Sequence, residues 1–281
     1  MRVVRIASTV TATALLLGAL SACGSSAKSP APAAASSAGA AAPAAGSAAG
    51  SPKVALLAAA AQMQKLGSAK VTLGAPYNGN GVYSWQGQGD LDVTMTEAGQ
   101  PVQVRVVDGQ PYLGADAQQA ALTGGKHWLK LSTAAGGQGA QLQAMTALLD
   151  PALQLGAATQ SGELSAVGAE TVNGVPTQHY RSTVPAQTLV DGLTALDAAH
   201  RQAVLALLQP GSTVTTDFWL DAKGELVQQK ESSSGGSAQA APVALTVGYT
   251  DFGTAVSVAT PASNDLISPA DAAKLVGALG G

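Results

Sequence analysis

From residue 53 onward, much of the chain alternates apolar and polar residues with a period of two, the pattern of strands in a half-buried sheet. The clearest run is residues 81–96. Its apolar residues share one face: Tyr83, Trp85, Leu91, Val93 and Met95. Because Gly87 and Gly89 interrupt the run, it predicts either one long antiparallel strand or two strands with a bulge at the glycines.

Further runs of the same kind follow, separated by turn dipeptides. One run is made of valines: Val102, Val104 and Val106. It ends at Asp108-Gly109, and a later run ends at Asn173-Gly174; both dipeptides favour tight hairpins because they tolerate positive φ. The remaining predicted strands are residues 127–131, 164–171, 175–184, 213–220, 225–231, 243–250 and 254–260.

Three segments have the apolar spacing of helices. The first is residues 52–66. The second carries one apolar stripe: Leu142, Met145 and Leu149. We expect it to end at Asp150-Pro151. The third is residues 196–208, for which Thr194 and Asp197 resemble a capping pair. Roughly ten hairpin-joined strands with a few helices predict an α+β domain built on a large antiparallel sheet.

Composition excludes several classes of function. The 281 residues include 14 Lys and Arg against 17 Asp and Glu, and no basic stripe is present that could neutralise nucleic-acid phosphates. The chain has one cysteine, which excludes a disulfide framework, a cysteine-based zinc site and a CxxC redox site.

The N-terminal segment has the features of a lipoprotein signal peptide. Arg2 and Arg5 precede an apolar run at residues 12–20, which is shorter than the ~20 residues that span a bilayer. The sequence LSAC at residues 20–23 resembles a bacterial lipobox and places the lone thiol at its end. We therefore interpret residues 1–22 as a signal peptide and Cys23 as the diacylglyceryl-modified residue that anchors the mature chain in the cell membrane.

A tether follows the cysteine. All of residues 24–52 are Ala, Ser, Gly or Pro except Lys28, so no large apolar side chain is present whose burial could offset the cost of ordering. A coil of this length has a root-mean-square end-to-end distance of roughly 30 Å. The sequence thus predicts a disordered linker over residues 23–52 and a folded domain over residues 53–281.

Candidate catalytic groups are few. The histidines His127, His179 and His200 are distant in sequence, and no HExxH or GxSxG motif is present. Asp90 and Asp92 share a strand face and could act as an acid and a base, although charged residues on a solvated strand face are the ordinary explanation. We therefore predict no enzyme, no metal site and no cofactor.

Four motifs, in order, resemble a known family. They are GKHWLKL at residues 125–131, ETVNGVP at 170–176, FWLDAKG at 218–224 and YTDFGTAVSV at 249–258. With the lipobox and the tether, they resemble the LppX/LprAFG-type lipoproteins of actinobacteria, whose fold is similar to that of the LolA/LolB lipoprotein carriers. The resemblance implies a strongly curved antiparallel sheet, a half-barrel, with helices packed over its concave face around an apolar cavity that binds acylated lipids or glycolipids.

Two functions remain open at this point. In the first, the domain is an extracytoplasmic, membrane-anchored protein that binds and could carry an acyl lipid or glycolipid. Candidate cavity residues are Tyr83, Trp85, Val104, Val106, Leu142, Met145, Leu149, Val204, Leu208 and Val247. In the second, the core is filled and the chain is a non-catalytic surface interaction or sensor lipoprotein with a protein partner. Trp128 and Trp219 fit either core packing or a cavity wall, and the sequence identifies neither the lipid nor a membrane transporter as partner.

Overall fold

The computed structural model describes residues 51–97, 99–134, 137–160, 162–235 and 244–273, all within the unit Ser47–Gly281. The predicted signal peptide, Cys23 and the tether up to residue 50 lie outside the described residues. Helix α1 (Pro52–Leu66) begins directly after them and ends at Gly67, whose φ of 70° is the left-handed conformation that commonly terminates a helix.

One antiparallel sheet of eleven strands dominates the described part of the chain. The strands are β1 (Ser68–Leu73), β2 (Gly79–Ser84), β3 (Asp90–Glu97), β4 (Gln100–Val107), β5 (Gln110–Gly114), β6 (Trp128–Lys130), β7 (Glu163–Val172), β8 (Val175–Pro185), β9 (Ser212–Leu220), β10 (Leu226–Gly235) and β11 (Ala244–Thr250). Their spatial order is β6-β5-β4-β3-β2-β1-β11-β10-β9-β8-β7. Neighbours in space are therefore neighbours in sequence, except where β1 pairs with β11 at the centre.

The two predicted hairpin dipeptides form the expected turns. Asp108 and Gly109 have φ values of 49° and 73° and join β4 to β5, and Asn173 and Gly174 have values of 51° and 81° and join β7 to β8. Positive φ at both central positions is the turn geometry that matches the twist of adjacent strands. These two predictions are confirmed.

Two predicted strands differ from the structure. Residues 81–96 form neither one strand nor a bulged pair in line, because the chain reverses at Gly87 and Gly89 and β2 pairs antiparallel with β3. The apolar residues of this segment still share one face of the sheet, as predicted, because Tyr83 lies directly opposite Leu91. Residues 254–260 are not a strand, because β1 and β11 already pair on both sides and offer no free edge nearby.

The structure has more helices between the strands than the sequence predicts. After α1 come α2 (Ala117–Leu122), α3 (Gln138–Leu148), α4 (Pro151–Gln160), α5 (Ala186–Gly192) and α6 (Ala198–Leu208). Of these, α3 and α6 are predicted by the sequence, whereas α2, α4 and α5 are not. Asp150-Pro151 ends α3 as predicted but also starts α4, since proline suits the first turn of a helix. Helix α6 begins two residues later than predicted, and Asp197 alone caps it by accepting a hydrogen bond from the amide of His200 at 2.9 Å.

Helices α1, α3, α4, α5 and α6 pack on one face of the sheet. Buried residues of α1 and α4 join the inward residues of β1–β4 and β8–β11 in one core cluster, and α3, α5 and α6 form a second cluster against β8 and β9. Helix α1 leads into the central strand β1 yet contacts the edge strand β7, so the sheet curves around the helices. The fold is the predicted one: an open, curved antiparallel sheet with helices on its concave face.

Candidate functional site

An apolar cavity lies between the concave face of the sheet and the helices. Its empty space is about 800 Å³, part of which is open to solvent. Twelve of the fifteen residues that line it are Leu, Val or Met. The lining residues are Leu73, Tyr77, Leu91, Val93, Met95, Val104, Leu142, Met145, Thr146, Leu148, Leu149, Leu207, Leu208, Glu231 and Leu245. The predominantly apolar lining is typical of small-molecule sites.

The local sequence explains how each wall forms. On β3 and β4, Leu91, Val93 and Val104 alternate with polar residues, so all three point to the concave face. On the α3 side, Leu142, Met145 and Leu149 follow helical spacing and face the same space. The cavity therefore has one wall from the sheet and one from a helix.

The structure divides the ten candidate cavity residues among three places. Five line the apolar cavity: Val104, Leu142, Met145, Leu149 and Leu208. Three line a second, more polar pocket, whose empty space of about 1080 Å³ includes open solvent: Tyr83, Trp85 and Val106. The last two, Val204 and Val247, line neither of these pockets and are fully buried in the second and first core clusters, respectively. Cys23 lies outside the described residues.

Three buried aromatic residues fix the helices to the sheet. The ring centroid of Trp85 is 5.8 Å from that of Tyr83 and 6.5 Å from that of Tyr249. Their polar ends donate to helix carbonyls: Tyr83 to Thr146 at 3.2 Å, Trp85 to Met63 at 2.8 Å and Tyr249 to Leu149 at 2.7 Å. Each ring thus packs against apolar side chains while its one polar group is satisfied.

Asp150 is a buried carboxyl group that lines the second pocket. Burial raises its pKa to about 6, although the amides of Leu153 and Ala152 both donate to its carboxylate and oppose the shift. These bonds cap α4. The carboxylate therefore serves as the N-terminal cap of α4 and lies between α3 and α4.

Polar side chains on the concave side of β10 and on α4 escaped the sequence prediction. Glu231 is 2% exposed, and Gln154 and Gln229 are each 1% exposed. Burial raises the pKa of Glu231 to about 7, and the hydrogen bond from Gln154 opposes that shift only in part. Polar residues occupy inward positions of β10 and interrupt its apolar alternation. Their burial could therefore not be predicted from the sequence without the register of β10.

The outer face of the sheet carries a histidine held by two carboxylates. His179 Nδ1 lies 2.8 Å from Glu170 Oε1, and its Nε2 lies 2.7 Å from Asp217 Oδ1. Trp219 stacks on the imidazole at 4.4 Å and donates to Glu170 Oε2 at 2.7 Å, while Arg181 donates to Asp217 at 2.7 Å. Both ring nitrogens are engaged, so this cluster links β7, β8 and β9 rather than presenting a free base.

The other residues considered for chemistry also have structural partners. Asp92 accepts from Arg105 at 2.6 Å, whereas Asp90 accepts from the amide of Asp108, so the two aspartates do not act as a pair. Arg105 lies 4.4 Å from the ring of Trp128, on the outer face. Neither this tryptophan nor Trp219 lines the apolar cavity.

The remaining two histidines lie at loop and helix ends. His127 Nδ1 is 2.8 Å from Asp265 Oδ1, and His200 Nδ1 is 2.8 Å from Asp197 Oδ2. Within the described ranges, no group of three His, Cys, Asp or Glu residues is placed to hold a metal ion. None of the helices in the part of the chain that the structure describes is long and apolar enough to cross a membrane.

Comparison with known sequences finds one curated relative. No protein-family model matches the chain. An uncharacterized 31.2 kDa protein from the rplA-rplJ intergenic region of Streptomyces griseus is 31% identical over 187 residues. The matched part covers 64% of this chain and 60% of that protein, so the chain spans less than two thirds of its relative's length.

Comparison with solved structures finds two mycobacterial proteins. LprF from Mycobacterium bovis is 14% identical with a TM-score of 0.43, and the match covers 75% of this chain and 97% of that one. The lipoprotein LppX from Mycobacterium tuberculosis is 16% identical with a TM-score of 0.43, and the match covers 73% and 99%.

Proposed function

We propose that this chain is an extracytoplasmic lipoprotein, anchored in the cell membrane through acylated Cys23, whose folded domain binds an acyl lipid or glycolipid. The apolar cavity between the sheet and α3 carries the proposal. Each methylene group that leaves water for such a space contributes about 0.8 kcal/mol, so an acyl chain is the ligand that gains most from it. An anchor of more than one acyl chain would also hold the domain stably at the membrane, the source of such lipids.

The lining favours a hydrocarbon chain over a compact polar ligand. Leucine and methionine side chains come from both walls, and the polar side chains among the fifteen lining residues are those of Tyr77, Thr146 and Glu231. A polar ligand would lose its hydration there with few partners in return. An acyl chain loses no hydrogen bond on entry.

Narrowing the cavity tests the proposal. Full-length chain in dioleoylphosphatidylcholine nanodiscs is labelled with the methyl ester of a diazirine-bearing stearic acid, and the labelled fraction is measured by intact mass. Val104 is 1% exposed and lines the cavity, so Val104→Trp is expected to reduce labelling strongly. Met145→Trp, at a half-buried position on α3, is expected to do the same with less strain.

Val167→Trp is the matched control, because it adds the same volume at an exposed position on β7. It is expected to label like wild type. If the two cavity variants remain folded and label as strongly as the control, the probe does not occupy this cavity. If wild type itself is not labelled above background, the domain does not bind acyl chains and the alternative of a surface interaction lipoprotein with a protein partner gains support.

A further inference from the structure

Four buried side-chain atoms lack a hydrogen-bond partner among the described residues, and all of them belong to the concave side of the sheet or to α4 above it. They are Gln154 Oε1, Ser182 Oγ, Gln229 Oε1 and Glu231 Oε1. Folded proteins satisfy nearly all of their buried polar groups, so a group of unsatisfied ones in one region needs a physical reason. Where one of these groups lines a cavity, a ligand that can donate to it is such a reason.

Glu231 is the member of this group that lines the apolar cavity. Its pairing with Thr216 on β9 and Leu245 on β11 places it on the concave face. The side chain is 2% exposed, and its other oxygen, Oε2, is 3.5 Å from Nε2 of Gln154. One oxygen therefore has a weak partner in the wall, and the other has no partner there.

The orientation of the two neighbouring glutamines, which do not themselves line the cavity, determines which of their buried atoms remain without a partner. Gln154 Nε2 and Gln229 Nε2 both donate to the carbonyl of Leu148, at 3.3 Å and 3.0 Å. Each amide thus uses its nitrogen for the protein, and the oxygen is the atom left over. The unsatisfied groups of Gln154, Gln229 and Glu231 are consequently all oxygens.

A hydroxyl group is the chemical complement of such a set. It can donate to an amide or carboxylate oxygen, and it can accept from Glu231 when the carboxyl is protonated. An ester carbonyl can only accept, so it leaves the amide oxygens unsatisfied. An ammonium can only donate, and it would bring a charge into an apolar space where burial favours the neutral form of Glu231, the carboxyl group in the lining.

We propose that Glu231, backed by Gln154, forms a hydroxyl-binding site in the wall of the apolar cavity, so that the occupant is an acyl lipid with a free hydroxyl group. The inference rests on the proposed lipid-binding function and specifies the ligand class. The hydroxyl could lie on the acyl chain or on the glycerol of a diacylglycerol. The test separates these two sources.

Matched ligand pairs test the site in the wild-type full chain. The diazirine probe described above labels the chain in nanodiscs, and unlabelled lipids compete with it. One pair is methyl 12-hydroxystearate and methyl stearate; the other is 1,2-dioleoylglycerol and 1,2-dioleoyl-3-acetylglycerol. The hydroxyl-bearing member of at least one pair is expected to compete on the order of tenfold better, about what one satisfied buried hydrogen bond contributes.

Glu231→Leu tests the residue assignment. It is expected to bring the ratio between the hydroxyl-bearing and the hydroxyl-free competitor close to one. The stearate ester is still expected to compete, because the apolar lining is otherwise unchanged. Glu163→Leu replaces an exposed glutamate on β7 and is expected to keep the wild-type preference. If Glu231→Leu does not fold, Glu231→Met provides a second variant of similar length that lacks both oxygens and is expected to bring the preference close to one.

The outcomes for this inference and for lipid binding are distinguishable. If wild type binds the probe but neither pair shows a preference, the hydroxyl site is wrong and lipid binding stands. A preference that survives in both Glu231 variants also overturns the assignment. If wild type takes up no probe, the proposed function itself fails.

Discussion

Replacing Glu231 by glutamine is expected to make the domain more stable at alkaline pH but not at acidic pH. Burial raises the pKa of Glu231 from 4.5 to about 7. The folded state therefore holds the proton more tightly than the unfolded chain does, and the free energy of unfolding falls as pH rises from about 4.5 to about 7. Glutamine keeps the size of the side chain and has no proton to lose in this range.

The magnitude follows from the size of the shift. Each pKa unit corresponds to about 1.4 kcal/mol, so ionised Glu231 lowers the free energy of unfolding by about 3 kcal/mol. For a domain of this size one kcal/mol changes the melting temperature by about 2–4 °C. We expect Glu231→Gln to melt roughly 6–12 °C above wild type at pH 8 and close to wild type at pH 4.5.

Thermal melting of the full chain in a non-ionic detergent measures this effect. Asp150 also has a raised pKa and weakens wild type over part of the same pH range, but it is present in both proteins and cancels in the difference. Glu163→Gln, at an exposed position, controls for the loss of one charge. An equal difference between Glu231→Gln and wild type at both pH values would refute the reasoning, as would a less stable variant at pH 8.

Three further predictions concern the anchor, the tether and the outer face. Cys23→Ala is expected to leave the chain unprocessed or released; fractionation that finds it as fully membrane-associated and detergent-extractable as wild type contradicts the lipobox interpretation. Deleting residues 30–50 is expected to leave the melting temperature unchanged, since they have no large apolar side chain to bury, and a clear fall would show that they pack on the domain. His179→Leu is expected to lower the free energy of unfolding by about 1–3 kcal/mol, because it removes one partner of Glu170 and one partner of Asp217, and to leave probe labelling intact. Urea unfolding measures the loss, and unchanged stability would mean that the cluster contributes nothing.

Local chemistry is the reason that much of the fold could be predicted. The two hairpin dipeptides require positive φ, and the structure has it at both. The inward face of β2 and β3 followed from alternation alone, even though the chain turns between them, because the pairing of Tyr83 with Leu91 keeps the same parity. Alternation likewise placed Val104 on the cavity wall.

The parts that could not be predicted depend on contacts between distant segments. Asp150-Pro151 has the composition of a helix end and of a helix start, and only packing shows that it serves as both. The cluster around His179 requires the register of three strands, which no local pattern specifies. Glu231 is polar at an inward position, and periodicity assigns such residues to solvent unless the register is known.

The central claim is that the space under the helices holds a lipid, and native mass spectrometry of the full chain tests it most directly. The protein is released from detergent micelles, and any mass beyond the covalently acylated chain is identified after organic extraction. We expect wild type to retain an acyl lipid, either co-purified or added, and Met145→Trp to retain far less while it stays folded. If folded wild type retains no lipid in either case, the cavity does not bind lipid and the claim is wrong.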